Sequence, residues 1–166
     1  MTTLDSQVVV RRSAIVTFSQ EFEHKLLSYP TDHSSLSDDL EFHVAHGLTL
    51  LPELQGVNDI KNQSAFKKLM ELTNHHTKME PDYFKAWTID ISEDLLDAID
   101  LITLTHGKDL LQLGLKDTAV STMLVLCATA SLLVQQNAET AQNKVTHKTI
   151  VARLKARGLV HENYQA

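Results

Sequence analysis

Cysteine is nearly absent: Cys127 is the only one in 166 residues. That excludes an intrachain disulfide and a cysteine-based zinc site, and it suits a reducing cytoplasm. Cys127 lies in the apolar run MLVLCATASLLV and reads as a small buried hydrophobe. Proline and glycine are scarce as well, at three and five. With no NG or DG turn and no strict apolar–polar alternation, the chain favours helices and strands are not expected. Nor is there a surplus of positive charge: the formal net charge of −6 argues against general nucleic-acid binding. The longest apolar run, Ala119 to Val134, is interrupted by Ser, Thr and Cys and is too short to span a bilayer, so no membrane segment is expected. The opening MTTLDSQVVVRRSA has no signal-peptide pattern, because its arginines follow the apolar stretch. There is no G-x-S-x-G, no glycine-rich phosphate loop, no HExxH and no CxxC, so an enzyme with a protein nucleophile is not indicated.

What remains is an ordinary globular composition, with 43% hydrophobic and 22% charged residues, which excludes global disorder. A first helix is expected over about 5–28, with a break near Thr17–Ser19 and a stop before Pro30. The polar stretch TDHSSLSDD follows, and Ser37 or Asp38 can cap a second helix over about 38–55, which kinks or stops at Pro52. GVNDIKNQ reads as a linker, then a third helix runs over about 64–76. A fourth starts at Pro81 with the stripe Phe84, Trp87, Ile91, Leu95 and Ala98. HGKD and GLKD mark a break or two around 106–117, before a long apolar helix over about 118–143. A last amphipathic helix, about 147–157, is stopped by Gly158 and carries Lys148, Arg153, Lys155 and Arg157 in a local basic cluster with Lys144. Residues 1–143 thus read as one helical domain and 144–166 as an amphipathic extension.

Nine histidines punctuate this pattern. His43 and His46 stand at i, i+3 on one helix, a weak chelating pair for a mononuclear metal. In ELTNHHTKMEPDYFKAW, helical phase carries Phe66, Leu69, Thr73 and His76 on one face and turns His75 toward Lys68 and Glu71. Haem iron asks for one axial imidazole from a helix against the porphyrin and a polar residue opposite, a layout that His76 and His46 offer.

The stretch from Phe18 to Trp87 resembles a globin. FEHKLLSYPTDHSSL resembles the end of the second globin helix and its proline corner. FHVAHGLTLLPEL resembles the distal helix, and AFKKLMELTNHHTKMEPDYFKAW the proximal helix and the start of the next. The resemblance implies an all-α, globin-like helical sandwich with an extra C-terminal helix, holding haem iron between His76 as proximal ligand and His46 as distal residue or second ligand. Phe22 and Leu50 would complete the ligand pocket, and Leu36 would stand where globins carry a phenylalanine against the ring. Leu72, one turn before His76, and Phe84 would line the haem, with His75 near a propionate. The implied function is binding of dioxygen or another diatomic gas, as a sensor, with the C-terminal helix offering a homodimer or signalling contact. The alternative from the residues alone is a haem-free helical regulatory or protein-interaction domain, in which Phe66, Leu69 and Leu72 are core and His76 is a helix C-terminal histidine.

Overall fold

A computed structural model describes residues 10–28, 36–54, 60–78, 84–137, 147–161 and 164. Among these, six helices accompany one two-stranded antiparallel sheet. The chain is therefore mostly helical but not all-α, and the globin-like sandwich is not its architecture. The order is β1 (Arg11–Ser19), α1 (Gln20–Ser28), α2 (Leu36–Leu54), α3 (Ile60–His76), β2 (Phe84–Ser92), α4 (Glu93–Gln112), α5 (Val120–Asn137) and α6 (His147–Ala156).

The centre is the pair α2 and α5. Every residue from 39 to 49 and from 122 to 132 is buried. A helix surrounded on all sides needs no polar face, which is why α5 can be apolar all round. The two helices meet at Gly47. A Cβ on Gly47 would collide with the Cys127 carbonyl and lie 2.7 Å from Cys127 Cα. Cys127 itself is fully buried, and burial pushes its thiol up to about 12, as suits a packing residue.

The sheet corrects the expected first and fourth helices. β1 pairs with β2 in the register Arg11↔Ser92 through Ser19↔Phe84. Val16 and Ile89 turn inward and are buried, while Ile15 and Thr88 opposite each other face out. Phe18 stacks on Trp87 with ring centroids 5.8 Å apart and packs against Phe22 at 4.9 Å. Phe84 and Trp87 thus sit on a strand, not on the helix that the 3.6-residue stripe implied. A two-stranded ribbon has two open edges, and side chains cover part of both. Ser121 Oγ accepts the Thr17 N–H at 2.9 Å on one side. On the other, Ser37 Oγ accepts from Asp90 N at 3.2 Å and the Glu41 carboxylate from Ser92 N at 2.9 Å. Arg11 ties the same corner by donating to Glu41 at 2.9 Å and to the Asp90 carboxylate at 3.0 Å.

The expected break near Thr17–Ser19 is where β1 becomes α1. Ser19 Oγ accepts the Phe22 N–H at 3.1 Å, the bond of an N-cap. α2 runs through position 52 to Leu54, and α3 begins at Ile60, inside the stretch expected as a linker. α4 continues through the HGKD segment and ends just before Gly114, whose φ of 114° only glycine adopts at ease. Gly158, at φ 68°, closes α6 as the sequence predicts, with Leu159 N donating to Leu154 O at 3.0 Å. Ile150 and Leu154 of α6 are fully buried, and Arg157 donates to the Thr49 carbonyl of α2. The expected helix over 138–143 and the expected helix start at Pro81 lie outside the described residues. No helix among the described residues is long and apolar enough to cross a membrane.

Replacing Gly47 by alanine forces a methyl group into backbone, which cannot rotate aside. Gly47→Ala should destabilise the protein by about 3 kcal/mol or more and lower its melting temperature by roughly 6–12 °C, read by circular dichroism.

Candidate functional site

His46 and His76, singled out for haem, have different neighbours. His46 sits in α2, fully buried, and its Nδ1 lies 2.8 Å from Ser131 Oγ of α5. His43, one turn earlier, brings its own Nδ1 to the same oxygen at 2.8 Å. One hydroxyl thus serves two imidazoles. It carries a single hydrogen, so it donates to one ring and accepts from the other, and the two neutral rings hold opposite tautomers. Among the described residues, Nε2 of His46 is buried without a hydrogen-bond partner. Burial pushes His46 down to about 4, and His43 when protonated, together with Arg153, adds to the shift.

His76 ends α3 and is buried, whereas His75 is exposed, as helical phase requires. His75 Nε2 meets the Glu21 carboxylate at 2.7 Å, a bond that holds Glu21 below its usual range. His76 Nδ1 makes a long contact of 3.5 Å to Ser19 Oγ, the hydroxyl that caps α1. Its ring lies against Phe22, with centroids 5.3 Å apart. Burial is also the main reason that His76 is lowered to about 4; Lys25 and His75 lower it further, and Glu21 opposes them.

Phe22, implied for the ligand side, touches the ring of His76, implied for the other side of the porphyrin. An axial imidazole meets the iron end-on, so at this spacing Phe22 packs on the same side as His76. Of the other implied residues, Leu36 and Leu50 are half-buried in α2 and pack on the core, Leu72 is half-buried in α3, and Phe84 opens β2. His46 and His76 share no hydrogen-bond or ring partner among the described residues. Among the described residues there is also no group of three or more His, Cys, Asp or Glu side chains placed to hold a metal ion.

A second buried polar corner was not anticipated from the sequence. Glu41 is buried and takes bonds from Arg11 and from Ser92 N. The Arg11 guanidinium is held above its usual value, because Glu41 and Asp90 outweigh the opposing effect of burial. The hydroxyls of Ser92 and Tyr164 are buried with no hydrogen-bond partner among the described residues. Burial first, and the charge of Glu41 second, push the Tyr164 phenol up. Nothing in the local sequence marks these residues as neighbours, since they come from β1, α2, β2 and the C-terminal end. No protein family, curated protein or solved structure matches this chain.

Two outcomes follow from the histidines. Both His46 and His76 drop from 6.5 to about 4 on folding, so the unfolded chain binds protons that the folded one refuses. Stability is full above pH 6.5 and falls as the pH drops toward 4, by about 2 kcal/mol per histidine at pH 5. Urea unfolding at pH 7.5 and 5 should show the loss, and His76→Gln should remove about half of it. In addition, nitrogen NMR at neutral pH should find His43 and His46 as opposite tautomers, a pattern that Ser131→Ala abolishes.

Proposed function

We propose that this chain is a haem-free helical interaction module whose partner-facing chemistry is the basic surface of α6. The observation that carries this is charge segregation. Residues 147–161 hold Lys148, Arg153, Lys155 and Arg157 and no carboxylate, while the remaining chain carries eleven basic against twenty-one acidic residues, a formal −10. α6 is anchored by Ile150 and Leu154, and its exposed side carries a strip of small residues, Thr149, Ala152 and Ala156. At helical spacing Lys148 and Lys155 border that strip on one edge and Arg153 on the other. A small-residue strip between cations admits close approach of a second helix whose flanks are acidic, as at the seam of a coiled coil. The acidic remainder of the chain repels an extended polyanion, which favours an acidic protein helix over nucleic acid.

Anisotropy titration with a labelled glutamate-rich helical peptide should give salt-sensitive binding, weakened about tenfold by Lys148→Glu with Arg153→Glu. A duplex DNA of equal charge should bind more weakly than the peptide. Haemin should give no stoichiometric Soret band. Unchanged peptide binding by the double variant would sink the assignment to α6, and a one-to-one Soret band lost in His76→Ala would sink the haem-free reading.

A further inference from the structure

α4 has an outer face that its own fold does not use. Leu95, Leu96, Ala98, Ile99, Ile102 and Leu110 bury its inner side. On the opposite side Leu101, Leu104 and Leu111 are 49%, 85% and 45% exposed. Single exposed leucines are ordinary on a protein surface. These three are not single. Together with the exposed Asp97 and Lys108 they fall at 97, 101, 104, 108 and 111, spaced four, three, four, three. That is the spacing at which a helix presents one continuous seam to another helix.

The seam is complementary to itself in one orientation. Place a second copy of α4 antiparallel, with a two-fold axis between Ile102 and Thr103. Asp97 then faces Lys108 of the second copy, Leu101 faces Leu104 of the second copy, and the symmetry repeats both pairs. Two leucine layers sit in the middle with an opposite-charge pair at either end, which is the isologous pattern of a two-fold interface. A parallel alignment sets Asp97 against Asp97 and Lys108 against Lys108. An antiparallel alignment with its axis between Leu104 and Thr105 sets Leu101 against Lys108. The charges therefore favour this register over those two.

We infer that this protein forms an antiparallel homodimer through the α4 seam of Asp97, Leu101, Leu104 and Lys108. The contact spans about three helical turns, so the dimer is weak and reversible. It is separate from α6, and the acidic partner of α6 neither makes nor breaks it.

Sedimentation equilibrium on the full chain over roughly 1–500 µM tests it, the range in which a contact of this size assembles. Wild type should move from monomer to dimer with rising concentration. Leu104→Glu should stay monomeric. Asp97→Lys should raise the dissociation constant at least about tenfold, since it sets two cations against each other at both ends of the seam. The swap Asp97→Lys with Lys108→Asp should restore dimerisation, because the antiparallel register pairs the exchanged charges, whereas a parallel one would not. All substituted positions are exposed, so unchanged circular dichroism and melting temperature confirm that the fold is kept. A monomeric wild type throughout, a Leu104→Glu variant that dimerises as wild type does, or a charge swap no tighter than Asp97→Lys would each overturn the proposal.

Discussion

The close approach of α2 and α5 at Gly47 sets the geometry of everything around it. Because no side chain separates the helices there, residues one turn away on each come within hydrogen-bonding reach. Ser131 lies one turn beyond Cys127, and His43 lies one turn before Gly47. The antiparallel run of the two helices brings them together, with His46 joining the same oxygen. A bulkier residue at 47 would part the helices and leave two imidazoles buried without the hydroxyl that orients them. Buried polar groups are costly when unpaired, so the backbone contact and the polar triplet stand or fall together.

The ribbon is tied to this centre by charge. Glu41, on the buried face of α2, accepts from Arg11 of β1 and from the backbone of Ser92 at the end of β2. One carboxylate thereby holds both strands at the point where β2 passes into α4. Without it Ser92 N, buried at the start of a helix whose cap side chain makes no bond, would have no acceptor of its own. The N-cap at Ser19 does the matching task where β1 passes into α1.

Much of the helical content was legible because its signals are local. α3 ends at His76, and α6 stops at Gly158, where apolar spacing and a C-terminal glycine place them. The separation of His76 from His75 follows from phase alone. The strands escaped for a physical reason: Phe84, Trp87, Ile91 and Leu95 satisfy a helical period, while Trp87, Ile89 and Ile91 satisfy a period of two. A nearby hairpin turn would have decided between them, but the partner of β2 is β1, on the far side of three helices. Ser131 was hidden in the same way. A serine within an apolar run carries no mark of the two histidines that will find it from another helix.

That distant pairing also orders events in time. A strand whose partner lies more than sixty residues further along cannot be satisfied by its neighbours, and the entropy of closing so long a loop is met only once other contacts shorten it. During synthesis residues 11–19 leave the ribosome first and wait until residue 92 has followed. Over that interval Val16 and Phe18, later at the heart of the molecule, are presented to whatever else the nascent chain meets.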